Sequence, residues 1–175
     1  MKTLPLFYVA LLLFVFSCNT PTKKNEESNN LTQEDIIKVK IKTFVASYLN
    51  KKDETVLADI LTQNYVRHIN GVTVASNSEE LKAAMNIFFI GFADLQITNE
   101  SSYVKDNEAF VHFTFTGTNT GVFAEAAATG KKVKVTGLSH LYFNDEGKMY
   151  QEDIYYNELD FLQQLGYTLS PPIIK

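Results

Sequence analysis

Around Gly91 the apolar residues of this chain change period, and that switch restricts the fold more than any other feature. Upstream, Ile37, Ile41, Phe44, Val45 and Tyr48 recur three or four residues apart, as do Leu81, Ala84, Met85, Phe88 and Phe89, which is the spacing that lines one face of a helix. Thr32 to Asp35 has the Thr-x-x-Asp form of a capping box ahead of the first run. Asp53 can cap a short second helix carrying Val56, Leu57, Ile60 and Leu61, and Ser76 with Glu79 can cap the third. Downstream, alternation rich in β-branched and aromatic residues predicts four long strands over 95–104, 109–116, 131–143 and 148–157. Lys105-Asp106-Asn107-Glu108 and Asn144-Asp145-Glu146-Gly147 read as hairpin connections, which makes those strand pairs antiparallel. Gly137 interrupts the third strand where a bulge or bend would curve the sheet. Helices followed by a curved antiparallel sheet predict an α+β layer fold with room for a pocket in the concavity.

Composition suits one such domain and removes several function classes. The 175 residues are 45% hydrophobic and 21% charged, ordinary globular values that exclude a fibrous or wholly disordered chain. Sixteen Lys and Arg stand against twenty Asp and Glu, so there is no basic field to hold phosphate backbones and nucleic acid is not an expected partner. A single cysteine can build neither an intrachain disulfide nor a multi-cysteine metal site. No His-x-His or His-Glu-x-x-His spacing, glycine-rich phosphate loop or Gly-x-Ser-x-Gly elbow occurs, so neither a metal nor a nucleotide cofactor is expected.

The N-terminus reads as an address. Met1-Lys2 precedes the uncharged stretch Leu4 to Phe16, which is shorter than the roughly 18 apolar residues of a spanning helix and has the length of a secretory hydrophobic region. It ends at Val15-Phe16-Ser17-Cys18, which resembles the bacterial lipoprotein signal, a small residue before a cysteine that is diacylated and becomes the mature N-terminus. The expectation is a signal peptide over 1–17, lipidated Cys18 with a flexible tether to 30, and a folded domain over 31–175, in the bacterial cell envelope and held to its membrane by the lipid anchor. A plain secretory signal with an incidental thiol is the alternative. The tether (CNTPTKKNEESNN) carries no aliphatic or aromatic side chain with which to offset ordering entropy.

Further motifs point to a family. Gly117-Thr118-Asn119-Thr120-Gly121, Ala128 to Val133, Val135-Thr136-Gly137, Gly147-Lys148 and Gln163-Gln164-Leu165-Gly166 follow one another at consistent distances, with Tyr65 to His68 as a Tyr-Val-x-His element and Phe92-Ala93-Asp94 in the place of Phe-Pro-Asp. Together they resemble the SnoaL-like polyketide cyclase or ester cyclase family of the nuclear transport factor 2-like superfamily. The resemblance implies a cone of curved sheet closed by helices around a mostly apolar pocket. It also implies a small, apolar, carbonyl-type ligand and, in some relatives, cofactor-free acid–base cyclisation, isomerisation or hydrolysis. Others only bind or dimerise, often through the sheet, so a homodimer is among the expected assemblies. The chain departs from the family pattern at Asn157, where relatives carry the proton-moving acid, and at Asn119, Asp153 and His112, where they carry histidine, tryptophan and arginine.

Candidate functional residues follow from parity and from this register. Asp153, Tyr155 and Asn157 alternate on one strand, and the family register makes their face the concave one. Asp153 then reads as a base, its pKa raised by burial among aromatic rings, or else as an idle rim carboxylate. His68, within the matched family element, and His112, beside Phe110 and Thr114, are candidate partner acids or structural histidines. Asn157 would hold a developing oxyanion, with Tyr155 beside it in the substrate-binding wall. The competing class is a non-catalytic ligand-binding or dimerisation module of the envelope.

Overall fold

The computed structural model describes residues 31–174. The expected leader, Cys18 and its tether lie outside them. Helix α1 (Gln33–Thr43) opens with the expected capping box: Thr32 Oγ1 accepts from the Asp35 amide at 3.2 Å, and the Asp35 carboxylate accepts from the Thr32 amide at 3.3 Å. The helix then widens into a π-helical turn, Phe44–Leu49, which keeps Phe44 and Tyr48 on the buried side with Ile37 and Ile41. Asp53 caps a short 3-10 turn, Glu54–Val56, leading into α2 (Leu57–Ile60). Helix α3 (Ser78–Gly91) starts one residue later than the Ser76–Glu79 pattern suggests. Asn77 is the extended residue, its side chain accepts from the Glu80 amide at 2.9 Å, and Glu80 reaches back to the Ser76 amide at 2.8 Å.

Two strands absent from the sequence reading lie between these helices, β1 (Leu61–Ile69) and β2 (Val72–Ala75). They join through Asn70-Gly71, both with positive φ (50° and 83°), the two-residue turn whose backbone twist matches paired strands. The four expected strands follow as β3 (Gln96–Lys105), β4 (Glu108–Thr118), β5 (Lys132–Phe143) and β6 (Met149–Tyr156), before a last helix, α4 (Glu158–Leu165). The sheet order is β2-β1-β6-β5-β4-β3. Its pairings are antiparallel except β1 with β6, so the curved sheet is mixed and unclosed, and β6 ends inside it.

Gly137 makes no bulge. Pairing runs unbroken through it, opposite Phe113 on one side and Tyr156 on the other, and the register shift between β5 and β6 falls at Tyr142/Phe143. The glycine is needed for space, because a Cβ there would stand 2.7 Å from the Tyr155 carbonyl and within 2.8 Å of the Phe113 ring. One core packs α1, α2 and α3 against β1 and the far ends of β4 to β6. A second, aromatic core gathers Phe92, Phe115, Phe123 and Phe161 near α4.

Candidate functional site

The concave face of the sheet carries a cavity of about 420 Å³ where the two cores meet. Inward-pointing positions of the strands (Ile69, Ile97, Phe115, Val135, Ile154) form its floor, Met85 and Phe88 of α3 cover it, and Phe161 of α4 closes one end. Volume and apolar lining are those of a small-molecule site. Among the described residues, two titratable side chains reach it, Arg67 of β1 and Tyr156 of β6. A smaller cavity of about 60 Å³ lies on the other side of Arg67, walled in part by Glu152 and Ser139.

Arg67 and Glu152 form a buried pair, 8% and 4% exposed, with Arg67 Nε 3.4 Å from Glu152 Oε2. The Tyr65 hydroxyl donates to the same carboxylate oxygen at 2.8 Å. Burial disfavours the guanidinium's charge, but Glu152 together with Tyr65, Tyr48 and Tyr156 outweighs it, and the Arg67 pKa stands above its ordinary value. Burial, helped by the Glu158 carboxylate, pushes the Tyr156 phenol up to about 12 against the opposing pull of Arg67. Both groups are therefore proton-bearing donors near neutral pH.

The residues singled out from the sequence lie elsewhere. On β6 the residues facing the cavity are Ile154 and Tyr156, so Asp153 and Tyr155 point to the opposite, outer face of the sheet. The one-residue difference in parity is a correction to the family register, and it reverses which side of β6 is concave. Asn157 lies just past the strand, exposed, where it caps α4 by accepting from the Asp160 amide at 3.0 Å. His112 is exposed on the outer face, with β5 lying between its strand and that of Asp153. Asn119, where relatives carry histidine, is buried and ties the β4–β5 loop to the end of α3, donating to the Gly91 and Gly121 carbonyls and accepting from Thr129.

His68 and Asp153 do meet, at 2.7 Å between Nδ1 and Oδ1, but on the outer face. Gln151 donates to both Asp153 oxygens at 3.1 Å. Burial pushes the Asp153 carboxyl up, yet the bonds from His68, Gln151 and Tyr142 outweigh it and set its pKa below the ordinary value, opposite to the rise expected of a general base. The polar row continues across β5, where the Tyr142 hydroxyl meets His140 Nδ1 at 2.8 Å and His140 Nε2 meets Glu108 at 2.8 Å.

The lowered Asp153 pKa has a consequence for acid stability. In that range the native state binds fewer protons than the unfolded chain, so stability rises with pH. The contribution is present above the unfolded aspartate value of about 3.9 and is lost as pH falls through the folded value. Asp153→Asn should therefore show a shallower loss of stability below about pH 4 than wild type, measured by urea unfolding at successive pH values. Superimposable acid limbs would show that the His68–Asp153 contact does not hold in solution.

A curved six-stranded sheet with helices over its concave face and an apolar cavity between defines an α+β fold with space for a small molecule. The chain belongs to the SnoaL-like polyketide cyclase family, whose model matches residues 39–165. A SnoaL-like polyketide cyclase structure from Jannaschia sp. CCS1 is similar over 81% of this chain and 97% of its own, at 17% identity and a TM-score of 0.71. TsrD from Streptomyces laurentii is similar over 75% and 95%, at 24% identity and a TM-score of 0.65. A SnoaL-like polyketide cyclase from Agrobacterium tumefaciens is similar over 78% and 99%, at 17% identity and a TM-score of 0.59. At these identities the likeness establishes the fold. No curated protein matches the chain.

The sequence reading missed Arg67, Glu152 and Tyr156. Asn70-Gly71 was the signal that could have found the first of them. An Asn-Gly pair between Tyr65–Ile69 and Val72–Ala75 marks a hairpin, and the alternation Tyr65, Arg67, Ile69 then puts Arg67 on the core face.

Proposed function

We propose that this domain binds a small, largely apolar molecule in its cone cavity, as a binding module of the cell envelope. The observation that carries this reading is the lining. Among the described residues it is apolar apart from Arg67 and Tyr156, and neither of these accepts a proton near neutral pH. Acid–base cyclisation or isomerisation needs a base within reach of the proton it removes, and hydrolysis needs one that activates water. Asp153, His68 and His112 sit on the other face of the sheet, so binding accounts for the geometry better than catalysis.

The test is to fill the cavity without touching its polar groups. Ethylnaphthalene should raise the melting temperature of the wild-type protein, as a ligand of the native state must. Ala84→Phe, on the α3 side of the cavity, should abolish the rise while leaving the unliganded protein folded. An equal rise in both proteins would mean that the probe binds outside the cone.

The same reading includes export and a lipid anchor at Cys18, supported by the hydrophobic run Leu4 to Phe16 and the small Ser17 that follows it. Intact-mass analysis of membrane-extracted protein should show residues 1–17 removed and acyl chains on Cys18, with Cys18→Ser left uncleaved or soluble. An unmodified Cys18 thiol would end the anchor proposal. A homodimer through the outer face also belongs to this reading, supported by Tyr103, Phe110, Leu138 and Tyr155, which stand exposed there.

A further inference from the structure

On the outer face of the sheet, two histidines are joined through a single phenol. His140 of β5 stands directly opposite Asp153 of β6, and Asp153 directly opposite His68 of β1, so the three side chains form one row across the strands. Carboxylates only accept, and that fixes the ring protons. Nε2–H of His140 donates to Glu108 at 2.8 Å, and Nδ1–H of His68 donates to Asp153 at 2.7 Å. A neutral His140 therefore has a bare Nδ1, to which the Tyr142 hydroxyl, 2.8 Å away, must donate. Phe110 stacks on the same imidazole, ring centroids 4.0 Å apart, and holds it in that orientation. The bare nitrogen of a neutral His68 is Nε2, which has no hydrogen-bond partner among the described residues and receives the proton when this ring charges.

The Tyr142 hydroxyl has one proton and two takers. Asp153 stands beside the same oxygen, and burial, followed by that carboxylate, raises the Tyr142 pKa, so the phenol keeps its proton through the range in which histidines titrate. When His140 becomes charged, both of its nitrogens donate. Tyr142 then turns from donor to acceptor toward Nδ1, and its own proton is released toward Asp153. A carboxylate that gains this bond holds a charged His68 less strongly. The other titratable groups on this face near the row are Glu108 and His112 of β4 and Tyr150 and Tyr155 of β6. Lys105 of β3, opposite Glu108, is engaged by Asp106 and Glu34, and β2 presents the uncharged Thr73 to His68. None of these bonds to both histidines. We infer that the Tyr142 hydroxyl is a two-position switch linking His140 to His68, through which a proton taken up at either histidine disfavours uptake at the other. The outer face then gains charge in two separated steps as pH falls, whatever the cavity on the other face holds.

The test is histidine NMR on the full-length protein, following the ring Cε1–H resonances of its three histidines through pH. His140→Gln, which removes the charge, should let His68 take up its proton at higher pH, with an affinity raised roughly 2- to 10-fold, the worth of one hydrogen bond. In a Tyr142→Phe background the same change should displace His68 much less, because only repulsion between the two charges is left. His112, exposed and outside the row, is the control and should not respond to Tyr142→Phe. If His140→Gln does not fold, wild type and Tyr142→Phe suffice: the wild-type His68 curve should bend a second time where His140 titrates, and that bend should shrink with the hydroxyl gone. A His68 curve indifferent to His140→Gln would overturn the link. Equal displacement with and without the hydroxyl would reduce the link to charge repulsion and overturn the switch, and displacement to lower pH would overturn its sign.

Discussion

Phe92→Ala should destabilise the domain by about 3–5 kcal/mol, the range for removing a buried aromatic ring from a core that cannot close over the space. Phe92 caps α3 and is fully buried, its ring centroid 5.4 Å from that of Phe115, 5.3 Å from Phe123 and 5.9 Å from Phe161. Gly117 lies against the same ring, where even a Cβ would come within 3.2 Å, so the fit is close on the backbone side too. Such a loss is a large share of the roughly 5–15 kcal/mol by which a domain is stable. Chemical denaturation should show it as a lower midpoint at unchanged slope. A loss below about 1 kcal/mol would mean that Phe115 and Phe161 collapse into the vacated space, and the cavity they line should then change its affinity for ethylnaphthalene.

Arg67→Met alone should cost a similar amount, about 3–5 kcal/mol, for a different reason. It leaves the Glu152 carboxylate buried with no opposite charge beside it. Adding Glu152→Gln should recover most of the loss, because replacing both members of a buried pair by uncharged groups of similar shape is often neutral. The measurement is a double-mutant cycle on unfolding free energies, and the expected coupling exceeds 1 kcal/mol in magnitude. Additive losses would show that the two side chains do not sense each other, and the charge balance assigned to the cavity wall would lose its basis.

Local signals in the sequence were legible because local physics determines them. The capping box at Thr32, the stripe of Leu81, Met85 and Phe88, and the hairpins at Asp106-Asn107 and Asn144 to Gly147 depend on neighbours a few residues apart, and all appear in the structure. β1 was harder to read. Thr62, Gln63 and Asn64 break its alternation, and the pairing with β6 shifts register between Leu61 and Val66. The site depended on the quantity a sequence conveys least well, which face of β6 turns inward. A strand assigned one residue out exchanges Asp153 and Tyr155 for Ile154 and Tyr156, and with them a base for a hydrogen-bond donor. Asn157 was read as an oxyanion holder through the family register, whereas its side chain is engaged by the first turn of α4.

The parallel pairing of β1 with β6 also sets when the cavity comes into being. The last strand inserts between β1 and β5, so Tyr65 and Glu152, 87 residues apart, meet only after nearly the whole domain has been synthesised. Until then β1 and β5 each hold out an unpaired edge, and closing so long a loop is a slow event in folding. Neither Arg67 nor Tyr156 can find the other in a nascent or truncated chain. Ligand occupancy would thus report the completed fold, and a molecule present as β6 docks would draw the chain out of its most aggregation-prone stage.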